Sequence, residues 1–484
     1  MDTDIVLEAA EIKKRSLRGV FSYLLRTILL TGVSLVAMLF LGARLRPEEY
    51  GVYGLVTTIT GFFTIISDIG LAASIIQEKQ TPTIRELRTV FTVQQVLAWI
   101  IFAFILAIST SLRTVGKLDN AGVFLSLAFG ISFPLVSLKT ISSILLEREL
   151  RFDRLIIPAI IETVAFNVVA VVLAFRGYGI MSFTYAVLVR TILGVIVMLM
   201  LKRWSAGIEF SWADFKRLMR VGGGFQLNDM LAKTKDDLFY ISVALILPSR
   251  EYGFITWAKQ WSRQPYALTV DNITAITFPA FSRLQHDEKL LRKAVEKTIF
   301  FVTLIAFPLF GGMSAMISPF IRVFPVYMKW QPALLSLVLF CISLAFAALS
   351  TPLISTLNAI GKINVSLKMM VFWTVSQWAM APFLLHWFGF NAIALISAIL
   401  GVTSLFVVAL VYHYVKFDFL DQIWRQTLAT MVMVALLWIT RAMWSQSVVM
   451  LMAGTILGGV LFATLMVVTG YKKVWSEIRS LLRK

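Results

Sequence analysis

Residues 45–51 read L-R-P-E-E-Y-G, and residues 247–253 read L-P-S-R-E-Y-G. At an offset of 202, Leu45 falls on Leu247, Glu49 on Glu251, Tyr50 on Tyr252 and Gly51 on Gly253. The same offset puts Arg18 on Arg220, and an offset one larger puts Asp68 on Asp271. Both E-Y-G sites separate a first apolar stretch from a second, and six apolar stretches lie between equivalent points. Glycine at such a site is expected to permit the close turn of a two-helix hairpin. Equivalent points six helices apart predict parallel repeats, related by an axis along the membrane normal. The fold expected is therefore an all-α membrane protein with two six-helix lobes and two extra C-terminal helices. Its divisions are placed at 1–208, 209–420 and 421–484.

The rest of the chain is divided by the same reading. Apolar runs of spanning length, about 20 residues, fall at 20–43, 51–77, 88–110, 121–146, 155–175, 179–201, 221–247, 251–280, 298–320, 332–358, 365–387, 391–414, 426–440 and 448–470. These are fourteen spans, the thirteenth the shortest. Of the 484 residues 58% are hydrophobic and only 15% charged, against about 45–50% and about 25% in average soluble chains. The mean hydropathy is +0.81.

The net charge of +18 is distributed unevenly. Placing the N-terminus in the cytoplasm puts 28 Lys and Arg on the cytoplasmic side and nine on the other. That asymmetry over short loops is the positive-inside signature of a multi-pass membrane protein, and it returns both termini to the cytoplasm. Nucleic acid binding would need a basic face on a soluble fold, so none is expected. The N-terminus is polar and carries no signal-peptide apolar core. Segment 210–219, F-S-W-A-D-F-K-R-L-M, reads equally as an interfacial amphipathic helix or as a plain basic linker.

Several chemistries fail on inspection. The one cysteine, Cys341, allows no internal disulfide. The three histidines, His286, His386 and His413, are too dispersed for a motif. Asp2-Thr-Asp4 sits at an unanchored terminus, and Gly222-Gly223-Gly224 lacks the Lys-Ser/Thr of a phosphate loop and is read as a hinge or packing point. No metal site, catalytic residue or cofactor is expected, beyond coupling to protons or sodium. The 37 Phe and 13 Trp are mostly lipid-facing or interfacial in this reading.

Charges inside spans are costly, seldom face lipid and mark function by default. Setting aside Arg88 and Glu251 at the first positions of their spans, fourteen occur, and ten of them lie in spans 1, 2, 7 and 8, which are repeat mates. A water-accessible cavity lined by these spans is the simplest account. Asp229, Lys233, Asp236 and Tyr240 recur on one side of span 7, and Lys259, Arg263 and Tyr266 on one side of span 8, with Asp271 near that stripe. Arg190 lies mid-span in the sixth. The substrate-binding candidates are Arg26, Arg190, Lys233, Lys235, Lys259 and Arg263. The ion-coupling candidates are Asp68, Asp236, Asp237 and Asp271. Other readings stand beside these: Arg26, Lys139 and Lys368 lie near span ends where basic side chains snorkel, and opposite charges in span 7 serve equally as structural pairs.

R-P-E-E-Y-G-V-Y-G-L-V at 46–56, I-I-S-D-I-G-L-A-A-S-I-I-Q at 65–77, K-T-K-D-D-L-F-Y-I at 233–241 and F-P-A-F-S-R-L-Q at 278–285 resemble the Wzx-type flippases, the polysaccharide-transporter branch of the multidrug/oligosaccharidyl-lipid/polysaccharide (MOP) exporter superfamily. The likeness runs over roughly 15–415. It implies a V-shaped helical transporter that moves undecaprenyl-diphosphate oligosaccharide from the cytoplasmic to the periplasmic leaflet for O-antigen, capsule or exopolysaccharide synthesis. A polymerase and a chain-length regulator are the partners it implies. Lys235 stands where relatives often carry Arg, and Lys offers a point charge instead of a bidentate fork. A drug or cation antiporter of the same superfamily would favour an acid-dominated cavity, whereas eight of the fourteen intramembrane charges here are basic. A membrane glycosyltransferase or polymerase would bring a sizeable external loop, and no external loop here reaches about fifteen residues.

Overall fold

A computed structural model describes residues 30–67, 70–78 and 80–482, with side chains except at 65, 221–235, 275–276 and 471–482. All regular structure among these residues is helical. That follows from the solvent: in hydrocarbon every backbone N–H and C=O must be satisfied within the segment. The helices are α1 Leu30–Arg44, then α2 Pro47–Ser67, α3 Leu71–Gln77, α4 Ile84–Thr114, α5 Asn120–Arg148, α6 Phe152–Phe175, α7 Met181–Leu201, α8 Trp212–Ile246 and α9 Ser249–Tyr266. A π-helical segment, Ala267–Asp271, leads into α10 Asn272–Leu284 and α11 Glu288–Val323. After a 3₁₀ stretch at Pro325–Ala333 come α12 Leu334–Ala359, α13 Ile363–Phe388, α14 Asn391–Thr403, α15 Leu405–Tyr414, α16 Phe419–Ile439, α17 Arg441–Trp444 and α18 Val448–Leu482.

Each of the fourteen expected spans falls on one of these helices or on a broken pair. The second span divides into α2 and α3, with Gly70 at φ 82° starting the latter. The eighth is α9, the π segment and α10. Among the described residues, eight helical segments are long and apolar enough to cross a membrane on length and composition. The two spans richest in charge, 7 and 8, are not among them.

The chain forms two compact units, one up to Gly253 and one from Phe254. In the first, α5 packs against α4 and α7, and α6 against α7. α8 packs on α2, α3 and α4 in this unit. Segment 210–219 is not a plain linker, since it is helical from Trp212. Extended chain before it hydrogen-bonds to α4, Glu209 N–H and C=O both meeting Thr92 Oγ1 at 3.0 Å. Trp212 then opens α8, with Ser211 as N-cap accepting from Asp214 N–H at 3.4 Å. Leu218 is buried among Leu71, Ile75, Leu87 and Val90, while Phe210 and Trp212 stay exposed.

In the second unit, α11 packs against α12 and α16, and α12 against α14. The extra helices belong to this unit: Ala429, Met433 and Leu437 of α16 and Phe462 and Met466 of α18 form one cluster with Ala315 and Met316 of α11.

Candidate functional site

The two E-Y-G sequences meet. Gly51 in α2 and Gly253 in α9 stand backbone to backbone. A methyl placed on Gly51 would overlap the Ser249 carbonyl oxygen and lie 2.7 Å from its carbon. One placed on Gly253 would overlap the Pro47 carbonyl in the same way, again 2.7 Å from the carbon. Neither glycine is in a left-handed conformation. The expectation that they permit a tight turn is therefore corrected: they lie within helices and permit close helix approach. The neighbouring letters also have jobs. Glu49 accepts from Arg46 N–H at 2.7 Å at the start of α2, and Tyr50 and Tyr252 are both buried. Tyr252 OH lies 3.3 Å from Thr58 Oγ1, Arg250 Nε lies 3.5 Å from Glu48, and Lys117 Nζ donates to Leu247 C=O at 3.1 Å.

Arg190 lies in the middle of α7, half-buried. Its guanidinium carbon stands 5.2 Å from the Phe166 ring centroid and 6.0 Å from that of Phe129. Those rings belong to a cluster that also holds Phe183, stacked on Tyr53 at 4.0 Å. Rings on α5 and α6 thus face the cation, and rings on α2 and α7 extend the aromatic cluster. Such contacts return about 0.5–2 kcal/mol, but they act on the face of the guanidinium plane and satisfy none of its five N–H donors. Among the described residues Arg190 has no ion pair and no hydrogen-bond acceptor.

Arg263, at the end of α9, has a different neighbourhood. Its Nη2 donates to Asp271 Oδ2 at 2.8 Å, both side chains being about half exposed. Its guanidinium carbon stands 5.0 Å from the Tyr266 ring. The Tyr266 hydroxyl is in turn held by Thr351 Oγ1 of α12 at 2.7 Å. Lys259 is exposed one turn earlier, while Trp257, Ala258 and Ser262 of the same helix are fully buried. The helix thus turns an apolar face inward and a charged stripe outward.

A family profile described as "Polysaccharide biosynthesis protein" matches residues 41–335, more than half of the chain. The chain belongs to this family. It is 23% identical over 376 residues to the lipopolysaccharide biosynthesis protein WzxC of Escherichia coli (strain K12), covering 75% of this chain and 74% of that protein. It is 22% identical over 288 residues to the succinoglycan biosynthesis transport protein ExoT of Rhizobium meliloti (strain 1021), covering 60% of this chain and 58% of the relative. Among solved structures, the lipid II flippase MurJ in an inward closed conformation superposes with a TM-score of 0.72 at 14% identity, covering 92% of this chain and all of that one. An inward-facing multidrug resistance MATE transporter of the MOP superfamily gives 0.58 at 16% identity, over 79% of this chain and 95% of that one. The chain shares the fold of these two solved transporters.

The remaining charges of this family member sort by neighbourhood. Lys139 of α5 forms an ion pair with Glu162 of α6, both side chains mostly buried. Lys139 is therefore held by a carboxylate within the helix bundle, and Gly194 of α7 makes room for Glu162. On α8, Asp236 is exposed and Asp237 half-buried, with Asp237 Oδ2 3.9 Å from where a Cβ on Gly61 would stand. Arg26 and Asp68 lie outside the described residues, as do the side chains of Asp229, Lys233 and Lys235. The structure thus brings Arg263 together with Asp271 and keeps Arg190 among aromatics.

Sequence reasoning missed the aromatic partners of Arg190, which lie on two other helices, and the Tyr266–Thr351 anchor. It also missed a polar knot where α3, α4 and α8 converge. Arg148 caps the end of α3, donating to the carbonyls of Ile75, Glu78 and Gln80. Arg217 pairs with Glu78 and Glu86, and Arg85 with Asp214 at 3.4 Å. The hydrogen bond to Glu78 is the main cause that pushes the Arg217 pKa up. The only signal for this knot was the density of charge in the connectors.

Proposed function

We propose that this protein is a flippase that moves undecaprenyl-diphosphate-linked oligosaccharide from the cytoplasmic to the periplasmic leaflet of a bacterial inner membrane, for surface polysaccharide synthesis. It is a transporter and catalyses no chemical step. A polymerase and a chain-length regulator act downstream of it, and both of its termini are cytoplasmic. The observation that carries the reading is Arg190. A permanent cation in the middle of a membrane helix, supported by aromatic faces and given no carboxylate among the described residues, is a site waiting for an anion. A diphosphate supplies what the guanidinium lacks, two or more oxygens in fork geometry. It also carries the charge that cannot enter hydrocarbon unaccompanied. The same feature argues against a cationic drug as substrate.

The relatives support the substrate class. One is a lipopolysaccharide biosynthesis protein and one a succinoglycan biosynthesis transport protein. Complementation of a flippase-deficient strain tests the reading. Arg190→Ala should abolish export of the finished glycan at unchanged membrane abundance, and Arg190→Lys should export partially, since charge survives and the fork does not. Full export by Arg190→Ala would remove the cationic route.

A further inference from the structure

The pair Arg263–Asp271 spans eight residues, and the spacing is unusual for an ion pair on one helix. In a regular α-helix eight residues turn through about 800°, leaving the second side chain about 80° around the axis from the first. The π segment Ala267–Asp271 takes up one extra residue. The pair then behaves as if seven apart, about 20° from alignment. Lys259, four residues before Arg263, lies about 40° to that same side. The wide turn therefore returns Asp271 to the stripe that Lys259 and Arg263 define.

The π segment is held by its own side chains. Pro265 brings no N–H to the helix ladder. Thr269 Oγ1 donates to the Pro265 carbonyl at 2.7 Å, and Asn272 Nδ2 donates to the carbonyls of Ala267 and Leu268 at 3.2 and 3.1 Å. The repeats bear the same mark in sequence. The E-Y-G sites align at an offset of 202, whereas Asp68 aligns with Asp271 at 203. The extra residue lies between Gly253 and Asp271, the interval that holds the π segment.

We propose that Asp271 is a displaceable counter-ion, which occupies Arg263 until the substrate's diphosphate takes its place. This inference rests on the flippase reading and gives Asp271 a positioning role. Three observations favour exchange over permanent structure. Both side chains are about half exposed, 55% for Arg263 and 44% for Asp271, and pairs so exposed hold weakly. Lys259 adds a second cation to the stripe, which attracts a doubly charged group more than a single carboxylate. Tyr266, fixed by Thr351, keeps the guanidinium plane in place while its partner changes. The carboxylate also sets a threshold: a weakly bound monoanion does not dislodge it, whereas a bidentate diphosphate does.

The test measures binding of undecaprenyl diphosphate to the full-length protein in nanodiscs. Asp271→Asn should tighten binding by about two- to fivefold, the worth of an exposed pair. Asp271→Glu should leave it near the parent value, and Arg263→Ala should weaken it. Combining Asp271→Asn with Arg263→Ala should bind no better than Arg263→Ala alone, because the gain acts through the arginine. Asp271→Ser provides a second neutral variant, and gel filtration confirms that each variant is folded. If Arg263→Ala weakens binding while the neutral variants bind no tighter than the parent, the counter-ion role is wrong and the cationic route stands. If Arg263→Ala leaves binding unchanged, this helix holds no diphosphate, and both ideas fail at this residue.

Discussion

Replacing Gly51 with alanine tests the joint between the repeat sequences. The added methyl would lie 2.7 Å from the Ser249 carbonyl carbon and overlap the oxygen. Carbon atoms pack at about 3.5–4.0 Å, so the two backbones must part by about 1 Å. Backbone atoms have no rotamer to change, so the strain stays in the joint. Overpacking of this kind costs about 1–3 kcal/mol, and the rigid surroundings place Gly51→Ala near the upper figure. The adjoining ion pair between Glu48 and Arg250 is exposed and longer, at 3.5 Å. Pairs of that kind contribute less than about 1 kcal/mol. The glycine contact, not the ion pair, therefore dominates closure of the joint. At about 3 kcal/mol the closed fraction relative to open falls about a hundredfold. The assay is cross-linking of Glu48→Cys and Arg250→Cys by a short bifunctional maleimide in a Cys341→Ser background. Adding Gly51→Ala should reduce the cross-linked fraction sharply, whereas Glu48→Ala alone should leave thermal stability nearly unchanged. Gly253→Ala should act like Gly51→Ala, and the double variant should cost less than the sum, since both strain one contact. Undiminished cross-linking together with an unchanged melting temperature for Gly51→Ala would refute the reasoning.

Breaking the mostly buried Lys139–Glu162 pair with Glu162→Gln should lower thermal stability by about 2 kcal/mol, because a lone ammonium remains in the bundle. Lys139→Met combined with Glu162→Leu should recover much of that loss, and a double variant no better than the single would show that the pair is not the source. A periplasm-active reporter fused after Lys484 should be silent, as the loop cation asymmetry requires. Strong activity there would invert or renumber the spans.

The spans were legible because hydropathy over about 20 residues reports directly on the solvent a segment must cross. Even the short run at 426–440 proved to be α16, Phe419–Ile439. The breaks were less legible. I-S-D-I-G reads as apolar continuity, but Gly70 takes φ 82° and starts a new helix. The π segment left a trace in the slipped offset between repeats, which acquires meaning only once the wide turn is seen. E-Y-G was found by its repetition, but its glycines were assigned to a turn because one strand of sequence cannot show what stands opposite it. At the sites, the charges were visible and their company was not. Lys139, read as a candidate for snorkelling, has Glu162 from the next helix, and Arg190 has rings from α5 and α6.

Arg190 and Arg263 illustrate two ways of keeping a guanidinium in a membrane protein, and the difference bears on mechanism. Aromatic faces offer Arg190 about 0.5–2 kcal/mol and leave its donors needing acceptors. Burying unpaired donors costs on the order of 1–3 kcal/mol or more for charged groups, so on the proposed function a phosphate would meet donors that have no acceptor among the described residues. Arg263 differs, because one of its donors already meets the Asp271 carboxylate. An anion there must displace a carboxylate, and the net gain is the difference between two ion pairs. A site with a deficit binds whatever anion reaches it, while a site with a counter-ion discriminates by charge density. A transporter needs both properties, since a substrate that is only attracted is not released and one that is only filtered does not enter. On the proposed function, Arg190 would serve attraction and Arg263 selection.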